Sequence, residues 1–281
     1  MLWFGKQAKG ETAAAAAIEP VTLEVELDKG IAETKLRALL KEMEERGGPQ
    51  PFVEALRRKH ELFAAALPLE GPVELSREDF GMLLDCVFPA RRKLATVLGE
   101  LDYGDVQGAV VRLLDGEGDL EQRIRDFCEL VPAEQKKPRR AIWDLAAELL
   151  HFRSPEQVPL MTRWVWDTRT GTGALREFVR GNDTLPEVPI DGRPGTYEAG
   201  RQWLADVLTE GGFYRDLPFM IDLLQAQAYS DYVKAMSSGV GLIDAEFGGR
   251  QDPLEFLVKL LGIESRERRT AAGGTAEPTL H

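Results

Sequence analysis

The side chains with the most chemistry to offer are gathered in residues 138–181 of this 281-residue chain. Seven arginines (139, 140, 153, 163, 169, 176, 180) and five acids (144, 148, 156, 167, 177) give the stretch a net charge of +2, while the whole chain carries −12. Three of the five tryptophans, Trp143, Trp164 and Trp166, fall here as well. Arginine guanidinium grips carboxylate and phosphate through paired N–H bonds, so the candidate binding residues are His151, Arg153, Arg163, Trp164, Trp166, Asp167, Arg169 and Arg176.

The spacing sets further expectations. Ser154-Pro155 with Gln157 reads as the N-cap, first-turn proline and third-position partner of a helix. On that helix Trp164 and Trp166 lie on different faces, one buried and one at a rim. Asp167 ends it and pairs with Arg163 or Arg169. Thr172 and Gly173 then open a helix over 174–180, whose free N–H groups beside arginines would suit an anion. The competing interpretation is that the arginines satisfy acids on neighbouring helices and the tryptophans are core.

Other chemistries find little support. Glu148 and His151 share a helix face, but a helical di-iron site needs that pair twice, and His60 has Arg57 where the second glutamate should stand. A His151 at the end of a helix meets the negative pole of the dipole, which favours a structural over an acid–base role. Cys86, Cys128, His60, His151 and His281 are too scattered for a local zinc site. Gly5-Lys6 lacks the upstream glycine of a phosphate loop, and the Gly-x-Gly stretches at 116, 171 and 239 lack a third glycine after a strand. There is no Gly-x-Ser-x-Gly elbow. The expectation is therefore no catalytic residue, no metal and no cofactor.

The elements that must position these residues are helical. Hydrophobic residues make up 43% and charged residues 29%, as in ordinary globular chains. Ile31, Leu36, Leu39, Leu40 and Met43 form a stripe stopped by Gly47-Gly48-Pro49. Further helices are read over 52–67, from Ser76 to Phe88 with a break at Pro89, and over 91–101, 106–114 and 120–130. After a boundary at 131–138 come 139–151, with Ile142, Leu145, Ala146, Leu149 and Leu150 as its buried stripe, then 197–210 and 217–236. The 217–236 helix is apolar around most of its circumference and should be central. Asp252-Pro253 with Glu255 opens the last, 254–261. Residues 21–27 alternate apolar and polar, as a strand does, but have no evident partner and would otherwise be merely extended.

The fold expected is mostly all-α: an irregular bundle of about 10–12 helices in two halves, 21–135 and 136–264, with at most one short N-terminal strand. Residues 1–20 read as a tail with an apolar tip, Leu2, Trp3 and Phe4, and 265–281 as a disordered tail. No apolar run approaches the roughly 20 residues of a membrane span, and no charged leader precedes an apolar stretch. Two isolated cysteines suit a reducing compartment, so a cytoplasmic protein is expected. The acidic balance opposes nucleic acid. The function expected is that of a non-enzymatic accessory or adaptor protein, which binds another protein through an Arg/Trp-rich surface near 159–180, with Leu2, Trp3 and Phe4 as a second contact. The alternative is a small-molecule binding protein or enzyme for an anionic ligand, with its site around His151, Arg163 and Asp167. Peripheral membrane contact through the N-terminal tip is a third, weaker option.

Overall fold

The computed structural model describes residues 18–240 and 252–264, and side chains outside 237–240. Leu2, Trp3, Phe4, His281 and the 265–281 tail lie outside the described residues. Within them the chain is all-helical, as the apolar periodicity requires. Eleven α-helices run in chain order: α1 (Lys29–Glu44), α2 (Gln50–Ala66), α3 (Arg77–Asp85), α4 (Phe88–Lys93), α5 (Ala95–Gly99), α6 (Tyr103–Asp115), α7 (Leu120–Cys128), α8 (Lys136–Arg153), α9 (Pro194–Glu210), α10 (Leu217–Val240) and α11 (Pro253–Leu260). A short 3₁₀ helix, Ala174–Phe178, sits between α8 and α9. None of the described helices is long and apolar enough to cross a membrane.

Local signals start most of these helices. Asp28 accepts from the Ile31 N–H at 3.2 Å, and Ser76 accepts from the Asp79 N–H at 3.0 Å. Asp102, Asp119 and Asp252 cap α6, α7 and α11 in the same way. The Pro89 expectation is corrected: α3 already stops at Asp85, and Pro89 lies in the first turn of α4. A proline there forfeits only an N–H that has no intrahelical partner. The helix expected over 91–101 is also two pieces, α4 and α5, separated at Leu94.

The alternating 21–27 stretch is extended but forms no sheet. Val21, Leu23, Val25 and Leu27 are half-buried while Thr22, Glu24 and Glu26 are exposed. The strap is tied at its ends by Val21 N–H to the Gly195 carbonyl (3.1 Å) and Asp28 N–H to the Phe178 carbonyl (2.7 Å). Only Leu27 makes a bridge, to Val179, because the facing chain leaves the 3₁₀ helix there and offers no second strand.

Two helices are buried on nearly every side. α8 is enclosed from Ala141 to Arg153 except at Trp143 and packs on α2, α4, α6 and α7. α10 packs on α1, α2, α9, α11 and the 3₁₀ helix. Buried apolar residues on both sides of Lys136 belong to one continuous cluster.

The helix expected after Ser154 does not form. The Gln157 and Val158 N–H groups both bond to the Ser154 carbonyl at 3.0 Å, one turn only. Val158 precedes Pro159, which disfavours helical backbone at 158 and supplies no N–H itself. The chain then runs irregularly to a tight turn at 162–166 and a loop closed by Asp167 N–H to the Thr172 carbonyl (2.8 Å).

Candidate functional site

Arg140, Asp144, Glu148 and His151 lie four, four and three residues apart on α8, which places them along one helix face. Each meets a partner from a different part of the chain. Arg140 reaches Asp167 at 3.1 Å. Asp144 accepts from the Arg163 backbone N–H at 2.9 Å and from its Nε at 3.1 Å. Glu148 meets Lys59 of α2 at 2.5 Å. His151 places Nδ1 2.8 Å from the Val158 carbonyl and Nε2 3.0 Å from Asp222 of α10. Glu148 and His151 are thus engaged separately, and His151 lies in the last turn of α8, as its spacing led one to expect, but enclosed.

Burial governs the charges on this face. It pushes the Asp144 carboxyl up, against the opposing pull of Arg163. It pushes Glu148 up to about 7, against the pull of Lys59. Tyr197 is also raised by burial, and its hydroxyl donates to the Trp166 carbonyl at 3.0 Å.

The outer end of α8 opens into a pocket of about 450 Å³. Its cations are Arg92 and Lys93 of α4, Lys137 and Arg140 of α8, and Arg163. Its only acids among the described lining residues are Asp144 and Asp167, already held by Arg163 and Arg140. Arg92, Lys93 and Lys137 are exposed and have no carboxylate partner among the described residues. The pocket's aromatic lining includes Trp164, together with Tyr229 and Tyr232 of α10 and Phe256 of α11. Two buried donor atoms of lining residues, Trp164 Nε1 and Arg140 Nε, have no hydrogen-bond partner among the described residues.

The structure therefore brings Arg163, Trp164 and Asp167 together and separates the other candidates. Arg153, at the far end of α8, bonds the Leu67 and Pro68 carbonyls and Asp115. Arg176 holds the Gly171, Asn182 and Leu185 carbonyls. Arg169 is exposed outside the pocket lining. Trp164 and Trp166 are both buried, which corrects the expectation of a rim position for one of them.

The expected anion site at Thr172-Gly173 is corrected too. The first N–H groups of the 3₁₀ helix, from Ala174 and Leu175, point inward to the Trp164 and Val165 carbonyls at 2.9 and 3.0 Å. A Cβ on Gly173 (φ +136°) would stand 2.6 Å from the Val165 oxygen, so the close approach depends on glycine.

Sequence reasoning missed Arg92, Lys93, Lys137, Tyr229, Tyr232 and Phe256. The Arg91-Arg92-Lys93 run and the Tyr229/Tyr232 pair, three apart on one helix, were the readable signals. Comparison with protein-family models, with curated proteins and with solved structures finds no match.

Proposed function

We propose that this protein binds a small anionic ligand in the pocket between α4, α8, α10 and α11. The observation that carries the reading is the excess of cationic and donor groups in one concavity of a chain whose net charge is −12. Three cations without a carboxylate partner among the described residues line it, and each calls for an acceptor. Arg140 and Arg163 are preset by carboxylates, so binding would cost little ordering of those two side chains. The competing reading, docking of another protein on 159–180, needs apolar area at the surface, whereas Trp164, Trp166 and Leu175 are interior. A cytoplasmic setting is part of the proposal, and the two buried free thiols, Cys86 and Cys128, agree with it.

The test is titration of the full chain with inorganic phosphate, sulfate and citrate, read by tryptophan fluorescence and thermal shift. Arg163 is a poor probe, since its loss strands buried Asp144. The exposed pair Arg92→Gln/Lys137→Gln leaves the core untouched. Saturable binding of at least one anion, weakened about tenfold or more by the double substitution and by added salt, is expected. Binding that ignores both substitutions would remove the pocket from consideration.

A further inference from the structure

The pocket has two chemically different sides, and an inorganic anion would use only one of them. The cationic side is built by α4 and the start of α8. The aromatic side is a continuous wall: Tyr229 lies 6.1 Å from Trp164, 6.0 Å from Tyr232 and 6.3 Å from Phe256, ring centroid to centroid, the last pair inclined by only 25°. Tyr229 and Tyr232, the half-buried rings of this group, can stack against a planar ligand group.

Size and charge point the same way. A volume of about 450 Å³ falls in the range of small-molecule sites. At about 30 Å³ per water it holds roughly fifteen water-sized units, far more than a phosphate or sulfate ion fills. Arg92, Lys93 and Lys137 are three exposed cations without a carboxylate partner among the described residues, against the near −2 charge and three acceptor oxygens of a phosphate monoester. At the edge of the pocket the Thr170 and Thr172 hydroxyls, 2.7 Å apart, can each donate or accept. Such a pair suits the mixed polar edge of a heterocycle.

We infer that the ligand joins a planar aromatic ring to a phosphate monoester, at about mononucleotide size: the phosphate meets Arg92, Lys93 and Lys137, and the ring lies against Tyr229 and Tyr232. The inference rests on the anion-binding reading and adds the ring to it. A nucleotide and a simple aryl phosphate share this chemistry.

The test is calorimetric titration of the full chain with four probes: AMP, phenyl phosphate, adenosine and inorganic phosphate. AMP and phenyl phosphate are expected to bind at least tenfold more tightly than inorganic phosphate, and adenosine at least tenfold more weakly than AMP. AMP exceeding phenyl phosphate identifies the source as a nucleotide, and equal affinities identify an aryl phosphate; both support the inference. Tyr232→Leu should cost the aromatic probes roughly tenfold, the effect of losing one stacking ring, and leave inorganic phosphate unchanged. Arg92→Gln/Lys137→Gln, confined to the exposed rim, should weaken all three phosphates. Equal affinity for inorganic phosphate and AMP would overturn the ring while leaving the anion reading in place. Equal affinity for adenosine and AMP would overturn the phosphate. Binding of none of the four overturns the inference, and the anion reading then stands or falls on sulfate and citrate.

Discussion

Removing Lys59 alone should be far more damaging than removing Lys59 and Glu148 together. Their side chains are 3% and 2% exposed. The ammonium also donates to the Leu261 carbonyl at 2.7 Å and lies 4.1 Å from the Phe152 ring centroid. Lys59→Met keeps the volume but strands the Glu148 carboxylate in the core, which costs about 3–5 kcal/mol. Lys59→Met with Glu148→Leu removes the stranded charge and forfeits chiefly the Leu261 hydrogen bond, a loss of about 1 kcal/mol. The double mutant should therefore be about 2–4 kcal/mol more stable than Lys59→Met alone. The pH dependence has a definite sign. Burial raises the Glu148 carboxyl from 4.5 to about 7 on folding, so between these values the folded state holds more protons and stability falls as pH rises, levelling above about 7. Without Lys59 the carboxyl rises further and the falling window extends to higher pH. Urea unfolding at pH 5 and pH 8 reads both effects. A Lys59→Met deficit of equal size at both pH values, or a double mutant as unstable as the single, would refute the reasoning.

Two further outcomes are open to simple measurement. Gly173→Ala should lower stability by about 1–3 kcal/mol in urea titration, because its φ of +136° and the 2.6 Å approach to the Val165 oxygen leave no room for a methyl group. An unchanged midpoint would show that the 164–175 turn relaxes freely. Burial pushes the Cys128 thiol up to about 12, so a thiol reagent at pH 8 should modify it only as fast as the protein opens and far faster in urea. Rapid native-state labelling of Cys128 would contradict the packing of α7 on α8.

What was legible in the sequence follows from how local each signal is. Ser76, Asp252 and the Gly47-Gly48 stop act within one helical turn, and each lies where its pattern placed it. Pro89 was misread because proline ends one helix and begins the next by the same missing N–H, so only neighbouring packing decides. Ser154-Pro155 did start a turn, but Val158-Pro159 ended it before a second could close. The pocket draws Arg92 and Lys93 from α4 and Tyr229 and Tyr232 from α10, on either side of the arginine-rich segment. Nothing in local spacing joins these to Arg163, whereas Arg163, Trp164 and Asp167 were found together because one stretch of chain carries them.

The polar face of α8 is buried along with its apolar stripe. Asp144, Glu148 and His151 recur at helical spacing opposite the stripe of Ile142, Leu145 and Leu149, a pattern that ordinarily marks a solvated face. They are instead interior, and interior polar groups demand specific partners. α2 satisfies Glu148 only where Lys59 faces it, α10 satisfies His151 only at Asp222, and the 162–167 turn satisfies Asp144 only through Arg163. Apolar packing alone would tolerate a shift of these elements along α8. The paired charges penalise it, because a displaced element strands a buried ion. The same register fixes Arg163 and Arg140 beside their carboxylates in the pocket lining, where Arg92, Lys93 and Lys137 have no carboxylate partner among the described residues. Core specification and pocket geometry therefore meet at Asp144, which is buried on this face and holds Arg163 in the pocket lining.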